Sequence, residues 1–162
     1  MQKILLAFLL FSTGCFAQKL EVKKSYAFSQ PVSIGTSPQD DSIQPVDTMR
    51  FFAYLEIKND QEPQIDSSWI NGVLYDPTTI FLKDSSITIG STITNERITM
   101  TPSPGHKLLL LEFSKALQQK KVPASFAKKK TGTIILRLIN LKKVVYYLIP
   151  TIFQLKTDPS IN

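Results

Sequence analysis

Apolar and polar residues alternate with a period of two, or run on as short apolar stretches, along most of the chain, with turn residues about every ten positions. That pattern predicts strands rather than helices. Leu20, Val22, Tyr26 and Phe28 alternate in a first strand. Phe51, Ala53, Leu55 and Ile57 alternate in a second, with Phe52 and Tyr54 on its opposite face. Ile65 to Ile70 and Val73 to Tyr75 flank Asn71-Gly72, a pair that accepts the positive φ angles of a type I′ turn, so a tight hairpin is expected there. Short strands follow at Thr79 to Leu82, Ser86 to Ile89 and Arg97 to Thr101, up to the breaker Pro102-Ser103-Pro104-Gly105.

Lys107 to Phe113 carries four consecutive leucines. A strand apolar on both faces must be covered on both, which predicts a central position. Ser114 to Lys121 is the one stretch that suits a helix, capped by Ser114 and ended by Pro123. Thr133 to Ile139 and Val144 to Leu155 predict a long terminal hairpin joined through residues 140–143, and Pro150 marks an edge strand or a bulge, because proline cannot donate to a ladder. The expected architecture is an all-β antiparallel sandwich of seven to nine strands, immunoglobulin-like or a related Greek key, with at most one short helix. A small outer-membrane barrel is the rival.

The N-terminus departs from this pattern. Lys3, an apolar run from Ile4 to Phe11 and small residues up to Ala17 have the three-part layout of an export signal. Cleavage after Ala17 is one reading, giving a signal at 1–17, a single domain at 18–157 and a loose tail at 158–162. Ser-Thr-Gly-Cys at 12–15 offers the other: cleavage after Gly14 and acylation of Cys15, which would tether the chain to a membrane. The apolar run is too short for a transmembrane helix and no later run is long enough, so none is expected in the mature chain. Periplasmic, secreted and outer-membrane-anchored locations in a bacterium all fit. Cys15 is the sole cysteine, so no disulfide can form within the chain and the core alone must hold the fold.

The formal charge of +6 falls to +5 once Lys3 leaves with the signal. A moderately basic exported surface meets anionic lipid or glycan rather than nucleic acid, and no nucleic-acid-reading device is visible. Lys120-Lys121, Lys128-Lys129-Lys130 and Lys142-Lys143 flank the most apolar strands and, if they converge at one end of the sandwich, would form an anion site. Lysines at strand ends also guard against aggregation.

Chemistry beyond charge is sparse. His106 is the only histidine, which rules out a metal site built from several histidines. Asp66, Asp76 and Glu96 are the candidate carboxylates for a hydrolase, whose mechanism needs two of them facing one cleft. Asp40-Asp41 and Asp84 also fall near turns, where aspartate is favoured for bonding the backbone. No cofactor is implied. Trp69 with Tyr75 across the hairpin could make a sugar-stacking platform. The terminal hairpin, with Tyr146 and Tyr147 and apolar residues on both faces, is the leading candidate interface for a protein partner, possible through addition of a partner's strand to its edge. Three functions follow: a non-catalytic envelope domain binding a protein, as an accessory subunit of a surface assembly; a module for anionic glycan or lipid; and a hydrolase.

Overall fold

The computed structural model describes residues 20–32, 48–82, 86–128, 131–140 and 143–156. Cys15, Asp40, Asp41, Asp84, Lys129, Lys130 and Lys142, and the boundaries assigned to the export signal and the tail, lie outside them.

The fold is all-β. Among the described residues ten strands run in chain order: β1 (Val22–Val32), β2 (Thr48–Lys58), β3 (Gln64–Ile70), β4 (Val73–Leu82), β5 (Ile87–Ser91), β6 (Arg97–Met100), β7 (His106–Lys115), β8 (Ile134–Asn140), β9 (Lys143–Ile149) and β10 (Ile152–Gln154). Eight form one curled sheet in the order β10-β1-β2-β7-β4-β3-β8-β9, and β5 pairs with β6 as a separate ribbon.

The register shows why this one sheet acts as two layers. β3 and β4 form the expected hairpin, with φ of 51° at Asn71 and 85° at Gly72, the type I′ signature. They pair only at Ser68↔Tyr75, Trp69↔Leu74 and Ile70↔Val73. β4 then continues along β7 to Leu82, while β3 stays with β8. β10, β1, β2, β7 and β4 therefore make one layer, and β3, β8 and β9 the other.

On the far side the chain changes layers at Pro150. β9 pairs with β8, and two residues later β10 pairs with β1 in parallel, Ala27↔Ile152 to Ser29↔Gln154. The single run expected from Val144 to Leu155 is thus two strands on opposite ends of the sheet order. Among the described strands, the parallel pair is the one departure from antiparallel pairing.

The main core fills the space between layers: Ala53, Leu55 and Ile57 of β2, Leu109 and Leu111 of β7, and Ile134, Leu136 and Leu138 of β8. A second core lies outside the five-stranded layer, where Phe28, Phe52, Tyr54 and Leu108 pack beneath Ile87, Ile89, Ile98 and Met100 of the ribbon. β7 lies between β2 and β4 and is apolar on both faces because both are covered, as its four leucines predict. In β1 the alternation breaks. A bulge at Lys23 sends Val22 toward the main core while Tyr26 and Phe28 join the outer one.

The helix expected over Ser114 to Lys121 is not formed. β7 runs through Lys115, pairing Ser114 with Asp76 and Lys115 with Tyr75. Ser114 Oγ donates to the Asp76 carbonyl instead of capping a helix, and the Ala116 N–H donates to Leu74 O. Only a short 3₁₀ turn, Ala124–Phe126, follows. Tertiary pairing overrides the weak propensity of Ala116, Leu117 and Gln118. β4 also differs from expectation, passing unbroken through Pro77.

Candidate functional site

Trp69 and Tyr75 do not form one platform. Trp69 lies opposite Leu74, so neighbouring Tyr75 points to the other face, where its ring meets Phe51 edge-on at 5.8 Å. Trp69 is 4% exposed, in a third apolar cluster with Leu74, Ala116 and Ile135, over which Val122 and Phe126 pack. Its indole N–H donates to the Lys120 carbonyl at 3.0 Å. The tryptophan is core, too buried to offer a ring face to a sugar.

The described lysines of these groups do not converge. Lys120 is held beside Trp69, which pairs with Ile135 near the start of β8, and Lys128 shortly precedes that strand. Lys143 pairs with Asn140 at the strand's opposite end. With a rise of about 3.3 Å per residue, the seven residues of β8 hold the two groups roughly 20 Å apart.

The candidate carboxylates are dispersed as well. Asp66 pairs with Arg137 beside the three-stranded layer, Asp76 lies on the outer side of the five-stranded layer, and Glu96 sits at the turn of the ribbon. They do not face one cleft. His106 Nδ1 lies 3.0 Å from the Pro104 carbonyl, within its own turn. Among the described residues, no group of three His, Cys, Asp or Glu side chains could hold a metal.

A cleft of about 210 Å³ that the sequence did not suggest opens beside the ribbon, lined by Gln30, Arg50, Phe52, Tyr54, Ile89, Leu110 and Glu112. Even-numbered residues of β2 face outward and meet Glu112 of β7 there. Arg50 forms an ion pair with Glu112, and its guanidinium lies 5.8 Å from the centre of the Phe52 ring. Burial pushes the Tyr54 hydroxyl above its ordinary range; Arg50 opposes the rise and Glu112 adds to it. The titratable groups that line the cleft are Arg50 and Glu112, paired with each other, and Tyr54.

The terminal hairpin forms between β8 and β9 alone, and it brings Tyr146 and Tyr147 to different surroundings. Tyr147 faces inward, half-buried, its hydroxyl donating to Ser25 Oγ at 3.1 Å. Tyr146 faces outward, its ring centre 6.3 Å from Trp69 and 5.9 Å from Phe126. β9 ends the sheet order, and three consecutive apolar residues on it are exposed: Val144 at 46%, Val145 at 46% and Tyr146 at 37%.

No family model matches the chain, and no curated protein or solved structure matches it. Among the described residues, no helix is long and apolar enough to cross a membrane.

Proposed function

We propose that the chain is an exported, non-catalytic domain of a bacterial envelope that binds a protein partner through β9, as an accessory subunit of a larger surface assembly. The observation that carries this reading is the run of exposed apolar residues Val144, Val145 and Tyr146 on a terminal strand. Alternation puts Val144 and Tyr146 on one face and Val145 on the other, so one layer of the domain cannot cover all three. Exposed apolar side chains on both faces of an end strand offer a partner a grip on either side. Tyr146 is anchored by Trp69 and Phe126, which suits it to a rigid aromatic contact at an interface. The N-terminal pattern supports export.

The glycan or lipid reading is weaker because the described lysines Lys120 and Lys143 stand at opposite ends of β8. The hydrolase reading finds no cleft with two free carboxylates among the described residues.

Affinity capture of the tagged full-length protein from its native envelope tests the proposal, after mild cross-linking and with washes at low and high salt. A stoichiometric protein that survives high salt and is lost with Val145→Asp supports it. Retention of glycan or lipid at low salt alone refutes it, since apolar contacts are not screened. The mass of the mature N-terminus separates cleavage after Ala17 from acylation of Cys15.

A further inference from the structure

β4 has a free edge. Past Tyr75 its only neighbour among the described residues is β7. Alternation determines which backbone groups are left over. Leu74 and Asp76 turn their carbonyls toward β7, where Ala116 N and Ser114 Oγ donate to them, while the Tyr75 carbonyl accepts from Ser68 Oγ on the β3 side. By the same period Thr78, Ile80 and Leu82 bond to β7, and Pro77, Thr79 and Phe81 point their backbone groups away from it. Pro77 is tolerated within this strand because the N–H it lacks would have faced the free side.

We infer that an extended segment of a partner protein adds to this edge beside Pro77–Leu82, as a sixth strand of the five-stranded layer. The inference rests on the reading that the domain binds protein, and adds a contact separate from the one on β9. The backbone of Thr79 and Phe81 and the Pro77 carbonyl supply the ladder. Side chains define what fits. Phe81 is 46% exposed on the inner side and Ile80 40% on the outer, so the segment needs an apolar residue toward each. Lys107 Nζ lies 4.9 Å from the centre of the Phe81 ring, and its carboxylate partner Glu62, 3.8 Å away, is itself largely exposed. A carboxylate on the segment can take the place of Glu62, so the segment is acidic where it meets Phe81.

Pro77 also argues for a foreign segment over a second copy of this chain. Twofold antiparallel pairing of β4 with itself about Thr79 would set Pro77 opposite Phe81 twice, forfeiting an N–H donor in each copy. A foreign strand forfeits only one.

The test compares capture from the native envelope by the wild type, Thr79→Pro, Lys107→Glu and Val145→Asp, with amide hydrogen exchange of the captured complex. Thr79→Pro removes a free-edge N–H without touching the β7 ladder. It is expected to melt like the wild type and to lose at least tenfold in capture; Lys107→Glu, which keeps the backbone intact, loses severalfold. In the complex the Thr79 and Phe81 amides should exchange at least tenfold more slowly than in the free protein. Undiminished capture by Thr79→Pro and Lys107→Glu, with both amides still exchanging at the free rate, overturns the inference. If Val145→Asp alone then abolishes capture, binding through β9 stands without it. A dimer of this chain that Thr79→Pro dissolves also overturns the assignment to a foreign segment, and no capture by the wild type overturns both readings.

Discussion

Replacing Glu56 with glutamine should destabilise the fold at neutral pH and lose that effect in acid. Glu56 projects outward from β2 and is 1% exposed, accepting the Ser103 N–H at 2.8 Å, with Lys24 Nζ at 3.7 Å. Burial pushes its carboxyl upward, but the Ser103 hydroxyl and N–H and the Lys24 charge outweigh that and hold it below the ordinary glutamate range. A hydrogen bond to a charged group contributes roughly 1.5–3 kcal/mol and a neutral one roughly 0.5–1.5. Glu56→Gln keeps the shape and exchanges the first kind for the second, a loss of about 1–2 kcal/mol; the half-exposed Lys24 adds at most a few tenths. Because the folded carboxyl is the stronger acid, its contribution is complete above the unfolded value of 4.5 and disappears as pH falls through the depressed folded value. Urea unfolding of both proteins at pH 7, 5, 4 and 3 measures the difference directly, since the other carboxylates are common to both. A gap that narrows as pH falls below 4.5 is expected. A gap that stays constant to pH 3, or a variant as stable as the wild type at pH 7, refutes the account.

Ile80→Pro should cost about 3 kcal/mol or more by removing an N–H from the β7 ladder, whereas Thr79→Pro should stay within about 1 kcal/mol, as thermal melts would show. Equal losses would mean that the alternation along β4 is wrong. Gly72→Ala, at a φ of 85°, should lose about 1 kcal/mol by chemical denaturation. Trp69→Phe should lose about 2 kcal/mol in the same assay, from a smaller ring and the missing bond to the Lys120 carbonyl. Val145→Asp, in contrast, should leave stability within about 0.5 kcal/mol while abolishing partner capture.

Strand existence was legible where local pattern and tertiary need coincide. The alternation of β2, the leucine run of β7 and the Asn71-Gly72 turn each state a burial or a backbone requirement within a few residues. Layer membership was not. The changeover at Pro150 depends on β1 being there to receive β10, and the bulge at Lys23, which puts Val22 and Tyr26 in different cores, leaves the composition of β1 ordinary. The failed helix shows the same limit: Ser114 could cap a helix or bond Asp76, and only the presence of β4 decides. Of the candidate site, Tyr146 was legible as an apolar residue on a polar-flanked strand. The edge at Thr79 and Phe81 was not, because it consists of backbone groups left over by pairing, which no side chain announces.

What remains for recognition follows from what the fold already uses. The inner faces of both layers meet in the main core, the ribbon covers part of the outer face of the larger layer, and Trp69 and its neighbours lie under the segment leading to Phe126. Glu21, Glu56, Glu62, Asp66 and Glu112 are each committed to a cation. Among the described residues, β4 past Tyr75 keeps backbone groups that no strand pairs, flanked by exposed Ile80 and Phe81, and β9 keeps exposed apolar side chains at an end of the sheet. Backbone bonding alone would accept almost any extended chain, so discrimination has to come from the side chains that flank it. On β4 these are Ile80, Phe81 and Lys107, an apolar pair with one cation whose own partner is loosely held. A partner selected by them is apolar at two neighbouring positions, one toward each face, and acidic where it meets Phe81, and raising the salt should weaken its binding at β4 while leaving the contact at Val144, Val145 and Tyr146 intact.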